Sequence, residues 1–481
     1  MKPELRCVYG LVLLASLAIG GLVTSPADAA PGKKAKGDDR PNILFIMTDQ
    51  HFAEAMSCVD PRWISTPGMD SLAARGVRFP NTYVNHPVCL PQRYTMLTGR
   101  LPCTRRQADA DNKPTISLGN QARSAGYDTA YFGKWHIQDS TFEREDAKNT
   151  GFPVNAGGND PALTTRAIDF LSKRDPKKSK KPLFLVMSLN NPHDICQWGR
   201  AKAGYTNGIK MKNGEVNINP PLKDCPPLPD NYAISADEAE AVAARRKGSK
   251  RGKPNAQKMA MDFTDNDWRQ YRWAYNRCIE LADEQISRML KALDTHGYAD
   301  NTVVIYTSDH GDGDAAHRWH QKSILYEESV RVPLMICLPD GKRQGETDPR
   351  LISIGIDLMA TVSDIAGAKM PEGPYYGISA LPFVKDADST APTHQYVVSE
   401  AEVRGKKGGN YDGRSVRTER FKYHAWDRGE NREQLFDMLS DPGETNNLAQ
   451  DPAFAEQMAL HRSMLNDWLD CTDDTYKGPR E

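Results

Sequence analysis

Pro41-Asn-Ile-Leu-Phe-Ile-Met-Thr-Asp-Gln50 is a continuous apolar run that ends abruptly in polar residues. Such a run reads as a strand buried on both faces, and as a parallel one when helices follow. Helical patterns do follow. Thr66–Arg75 reads as a short helix closed by Gly76, and further strand-like runs occur at Asp128–Phe132, Leu183–Leu189, Thr302–Thr307 and Pro333–Leu338. Between them lie helical patterns at Thr115–Ala125 and at Asp265–Leu293, the latter ending at Gly297. Strand-helix alternation predicts an α/β sandwich around a mostly parallel sheet. Ligands in such folds bind beyond the carboxyl ends of the strands. The runs lead into Asp49-Gln50, Lys134-Trp-His136, His193-Asp194 and Asp309-His310. This repeated placement of reactive side chains predicts one site assembled from all four.

A second stretch supplies the reactive centre. It reads His86-Pro-Val-Cys-Leu-Pro-Gln-Arg-Tyr-Thr-Met-Leu-Thr-Gly-Arg100. Proline suits the first turn of a helix, so Cys89 is expected at a helix N-terminus, with Gly99 ending that helix. Unpaired N–H groups and the macrodipole favour an anion there. Arg93, one turn on, is expected to hold the same anion. Spacing alone leaves Cys89 equally readable as a small buried apolar residue.

Cys89-Leu-Pro-Gln-Arg93 followed by Leu97-Thr-Gly-Arg100 resembles the signature of the type I sulfatases, in the alkaline-phosphatase superfamily. The resemblance covers most of residues 41–450. It implies an alkaline-phosphatase-like α/β/α sandwich with a small C-terminal antiparallel-sheet subdomain. It also implies that Cys89 is oxidised to formylglycine, whose hydrated aldehyde is the nucleophile, by a formylglycine-generating or equivalent maturation enzyme. Asp49, Gln50, Asp309 and His310 fall where the family holds a divalent cation, usually Ca²⁺ and most often with Asp-Asp and Asp-Asn. The Asp-Gln and Asp-His pairs here are similar to the choline-sulfatase and phosphonate monoester hydrolase branches. Calcium is the expected ion, and the imidazole leaves Mn²⁺ open.

Gly133-Lys-Trp-His136 matches the family's Gly-Lys-x-His, and Asn191-Pro-His193 is similar to its histidine strand end, although Asp194-Ile195 is not the common continuation. Lys322 precedes Tyr326-Glu327 as the family's lysine does. By this resemblance the metal, Arg93, Lys134 and Lys322 surround the ester's anionic oxygens, in the logic of phosphoryl transfer. The metal lowers the pKa of one hydroxyl of the hydrate, and a covalent sulfate forms on residue 89. His136 takes a proton from the second hydroxyl to expel sulfate, and His193 or Lys322 protonates the leaving alcohol. Alternative readings are a phosphonate monoester or phosphodiester hydrolase on the same scaffold, or a sulfated-glycan binder in which Cys89 is never oxidised.

The rest of the chain bounds these readings. Its 481 residues allow a large core and more than one domain, and a net charge of −1 gives no whole-protein attraction to nucleic acid or membrane. Residues 1–30 read as a secretory signal, with Lys2 and Arg6, an apolar run to about Val23, and Ala27-Asp28-Ala29 as the cleavage site. Residues 31–40 read as an unstructured linker, 41–390 as the catalytic domain and 391–481 as the C-terminal subdomain. A secreted or periplasmic protein, free of the membrane after cleavage, is expected. Short antiparallel strands are expected at Gln395–Glu400, Arg414–Arg417 and Phe421–Trp426, with a closing helix at Pro452–Leu469. The string Gln434–Leu448 is also similar to one that recurs in sulfatases.

An exported chain permits disulfides, while Cys278 and Cys337 lie in apolar patterns and read as core. Asp312 and Asp314 lack the EF-hand spacing and read as loop residues or as support behind the ligands. His317 and His320 read as surface or core histidines, with substrate contact as the alternative. Two basic stretches, Lys173–Lys181 and Arg245–Lys253, read as solvated loops, with attraction of a sulfated glycan as the alternative. The insertion Gly199–Lys258 is expected to form a lid or substrate wall.

Overall fold

The computed structural model describes residues 40–103, 116–137, 147–205, 210–247, 260–405 and 409–479. The expected signal, residues 31–39 of the linker and the basic stretch beyond Lys247 lie outside them. Strand β1 (Asn42–Asp49) runs through the centre because its side chains are apolar on both faces. Ile43, Phe45 and Met47 enter one apolar cluster and Leu44 and Ile46 another, the alternation that a pleated strand imposes.

The further strands of the larger part are β2 (Val77–Arg78), β3 (Thr82–Tyr83), β4 (Asp128–Gly133), β5 (Val154–Ala156), β6 (Leu183–Pro192), β7 (Thr302–Ser308), β8 (Leu334–Cys337), β9 (Glu346–Thr347) and β10 (Ile352–Ser353). Seven of them join β1 in an eight-stranded sheet of order β5-β4-β6-β1-β7-β8-β2-β9, and β3 pairs with β10. Only β8 runs antiparallel to its neighbours. Helices Cys89–Thr98, Leu118–Ser124 and Ile354–Ala366 cover the face reached by Phe45. Helices Pro67–Arg75, Asp160–Ser172 and Asp265–Thr295 cover the other. The expected three-layer sandwich is therefore present. The longest helix starts at a capping box in which Thr264 and Asp267 each bond the other's backbone N–H.

At the C-terminus, β11 (Val397–Arg404), β12 (Asn410–Arg417), β13 (Phe421–Trp426) and β14 (Glu433–Asp437) form a separate antiparallel sheet. Val398, Val416, Tyr423 and Leu435 pack with Leu465, Trp468 and Leu469 of the closing helix Ala455–Thr472, and with Leu101 and Ile356 of the larger part. β14 carries too few residues for a period of two to stand out in the sequence.

A buried ion cluster joins the two parts. Lys422 Nζ lies 2.9 Å from Glu327 Oε1 and 3.0 Å from Glu444 Oε1. The Glu327 backbone N–H donates to Glu444 Oε2 at 2.6 Å. The turn that follows Lys322 is thereby bolted to the small sheet. Arg40, the last residue of the expected linker, is tied to the larger part, its Nη1 donating to Ala125 O and Ala366 O at 2.7 Å each.

Candidate active site

β4, β6, β1 and β7 are adjacent and parallel, so their carboxyl ends open on one place. Gly133 ends β4 with φ +121°, and a Cβ there would stand 1.9 Å from Ser188 O. Glycine is what lets the chain cross β6 and bring in Lys134, whose N–H donates to Ser188 O at 2.9 Å. From the other side comes the helix Cys89–Thr98. Cys89 opens it after an extended Val88, and Gly99 closes it in the left-handed conformation.

Cys89 Sγ lies 2.8 Å from Lys322 Nζ, 3.2 Å from His310 Nε2 and 3.6 Å from Asp49 Oδ1. Lys134 pairs with the other oxygen of Asp49. Arg93 is wholly enclosed: Nε donates to Asp309 Oδ2 at 2.6 Å, Nη2 to Asp49 Oδ2 at 3.2 Å, and Nη1 to Ser188 Oγ at 2.8 Å. The helix spacing led to the expectation of Arg93 on the substrate anion, and the structure turns its guanidinium to the two carboxylates instead. Side-chain exposure is 0% for Asp49, Arg93, Asp309 and His310, against 16% for Lys134 and 12% for Lys322. Of these groups, only the two lysines reach solvent.

Charge in this enclosed volume is strongly coupled. Burial raises the pKa of Asp49, but Lys134, His193, Lys322 and Arg93 together hold it well below the usual carboxylate value. Burial and Asp49 push Asp309 up, despite His310 and Arg93. Burial and Asp49 also work against a Cys89 thiolate, yet Lys322, Lys134 and His310 outweigh them and lower its pKa. Burial, then Lys322, keep His193 below its ordinary value. Lys322 is held protonated: burial opposes its charge, and Cys89 and Asp49 overcome that.

Asp49, Cys89, Asp309 and His310 present ligand atoms that all lie within 4.8 Å of one another. Two buried carboxylates and an imidazole converging this closely fit a divalent cation, which would also relieve the repulsion that raises Asp309. Gln50 adjoins them through its backbone N–H, which donates to Asp309 Oδ1 at 3.1 Å. His193 sits among Lys322, Asp49, Cys89 and Lys134. His136, by contrast, is exposed, and among the described residues no hydrogen bond or ion pair ties it to the cluster. A cavity of about 130 Å³ lined by residues such as Phe52, Trp63, Arg272 and Asp314 lies apart from Cys89 and shares none of these residues.

Other side chains prove to be framework. His317 is buried and stacks on Tyr326 at 4.1 Å, and His320 packs edge-on to Tyr271 at 5.0 Å. Arg246, from the second basic stretch, is buried and donates to His317 O at 2.5 Å and Arg318 O at 2.9 Å. It braces the loop that carries Lys322. Lys173 and Arg174 pair with Asp169 and Asp128. Cys278 and Cys337 are buried free thiols, as expected of core. Sequence reasoning missed Asp160, whose carboxylate accepts the N–H groups of Asn190 and Asn191 at 2.7 and 2.8 Å and so fixes the strand end before His193. In sequence, Asn159-Asp160-Pro161 shows only a helix start.

The family model Sulfatase matches residues 41–368, and that of the N-sulphoglucosamine sulphohydrolase C-terminal region matches 315–469. The chain is 29% identical to a Delta 4,5-hexuronate-2-O-sulfatase of Bacteroides thetaiotaomicron, covering 93% of this chain and 92% of the relative. It is 28% identical to an N-acetylglucosamine-6-O-sulfatase of the same organism, covering 89% and 86%. The solved structure of a 2-O GAG sulfatase superposes with a TM-score of 0.76 at 28% identity, over 92% of this chain and 95% of that one. Fold and site thus define an enzyme of the alkaline-phosphatase superfamily. Within it, the chain belongs to the type I sulfatase family and is a sulfuric ester hydrolase.

Proposed function

We propose that this sulfatase is exported and removes sulfate from a carbohydrate, with residue 89 acting as formylglycine beside a divalent cation. The observation that carries the reading is the position of Cys89 Sγ, within 3.6 Å of Lys322, His310 and Asp49 at once. Two relatives bear the names of sugar-specific sulfatases, which supports a carbohydrate ester. Asp49, Gln50, Asp309 and His310 would hold the cation, calcium by family and manganese by the imidazole. When bound, the cation supplies Lewis acidity, and residue 89 in its oxidised form supplies the attacking oxygen.

The remaining work falls to this chain's own side chains. Lys134 and Lys322, the partly exposed cations, bind the sulfate oxygens and neutralise their charge. Arg93 neutralises Asp49 and Asp309 and keeps their oxygens in register. His193 or Lys322 protonates the leaving alcohol. His136 takes a proton from residue 89. The test is a panel of desulfation assays on defined sulfated sugars, with calcium or manganese added back to chelated protein. Release of sulfate from a sugar and its loss on chelation are expected, and turnover unaffected by chelation contradicts the reading.

A further inference from the structure

A primary amide binds a hard cation through its oxygen, so its NH₂ group needs an acceptor elsewhere. For Gln50 that acceptor is one carboxylate: Nε2 lies 2.7 Å from Asp312 Oδ2. Asp312 is fully buried in the loop after β7. Its oxygens also receive the Tyr271 hydroxyl, at 2.8 and 2.9 Å, and the Asp314 backbone N–H, at 2.9 Å. An ionised carboxylate surrounded by donors accepts from the amide nitrogen and has no proton to offer the amide oxygen, so in that form it holds the amide in one orientation.

The main chain of Gln50 is pinned as well. Its N–H donates to Asp309 Oδ1 at 3.1 Å, and its C=O accepts the Tyr275 hydroxyl at 2.7 Å. Amide rotation is the freedom left, and Asp312 removes it. Among the described residues, the partner of Gln50 Oε1 is the Cys196 sulfur at 3.5 Å, a weak donor that also lies 3.5 Å from Nε2. Tyr271 is held in turn by Trp198 and Trp268, edge-on at 6.1 and 5.7 Å.

We infer that Asp312, braced by Tyr271, is a positioning residue that fixes the Gln50 amide with its oxygen presented to the divalent cation. The inference rests on Gln50 being one of the cation's ligands. Partners of this kind typically govern ~10–100-fold in metal affinity.

Calorimetric titration of calcium, and separately manganese, into the chelator-stripped full chain tests it. Asp312→Ala should weaken binding by about 10–100-fold, Asp312→Asn by less because it keeps an acceptor oxygen, and Gln50→Ala by a similar factor to Asp312→Ala. In the Gln50→Ala background, Asp312→Ala should add little further loss. Wild-type affinity in Asp312→Ala, or a loss that adds in full to that of Gln50→Ala, overturns the inference. If Asp312→Ala does not fold, as read by the melting of the stripped protein, Asp312→Asn and Tyr271→Phe complete the same cycle. Tight metal binding by a wild-type chain that releases no sulfate would defeat the functional reading and leave this inference standing.

Discussion

Lys322 places its ammonium 2.8 Å from the Cys89 sulfur, across 233 residues of chain. That contact joins the loop after β7 to the helix opening at Cys89. Removing the ammonium strips the site of a partly exposed cation that pairs with Cys89 and Asp49. Lys322→Ala should lower kcat by ~10²–10³-fold, the scale of losing one electrostatic stabiliser. Melting should stay near wild type, because the Lys322 backbone is anchored independently through Glu327 and Lys422. A kcat within a few-fold of wild type would remove Lys322 from the reaction.

Arg93→Ala should behave differently. Its guanidinium is the partner of both Asp49 and Asp309 in a space without solvent. Truncation leaves two buried carboxylates short of a cation, a change that typically costs ~3–5 kcal/mol. We expect lost turnover together with a clearly lowered melting temperature, and an added divalent cation should recover part of the stability. An unchanged melting temperature would show that the carboxylates are satisfied by other means.

Lys422→Met tests the bolt between the two sheets. Lys422 has no solvent exposure and holds Glu327 and Glu444 together. Breaking it should cost ~3–5 kcal/mol in denaturant unfolding and should reduce kcat through the Lys322 turn. Destabilisation with unaltered kcat would mean that the small sheet does not position Lys322.

Glu328 carries a pH dependence of stability outside the site. Burial and the nearby Glu444 push its carboxyl up to about 8, and Asn231 Nδ2 is its donor at 2.8 Å. An unfolded glutamate titrates near ~4.3. Between those values the unfolded chain has released a proton that the folded chain retains, so stability from this group falls as pH rises and levels off above 8. Glu328→Gln should therefore melt above wild type by a margin that widens from pH 5 to pH 8. A margin independent of pH would contradict the assignment.

Much of this was legible in the chain itself. The run from Asn42 to Asp49 is apolar on both faces, which only a central strand permits, and reactive residues recur where such strands end. Cys89 and Gly99 mark a helix by cap chemistry, which is local and so readable. What long-range packing decides was not readable. In sequence His317 and His320 read as surface or core histidines or as substrate contacts, and only the fold shows Tyr326 and Tyr271 against them. Arg93 was expected on the substrate because helix periodicity fixes its face and cannot reveal Asp309 beyond it. Asp160 and Lys422 act through partners at least 22 residues away, and no local pattern announces them.

Everything turns on the chemistry of residue 89, and one measurement reaches it directly. Protein from its native host should be separated into fractions, each assayed for release of sulfate from a sulfated sugar and digested for the mass of the peptide containing residue 89. Turnover should rise in proportion to the fraction of that peptide carrying the aldehyde in place of the thiol, and fully thiol protein should be inactive. Full activity in protein whose Cys89 remains a thiol would contradict the account.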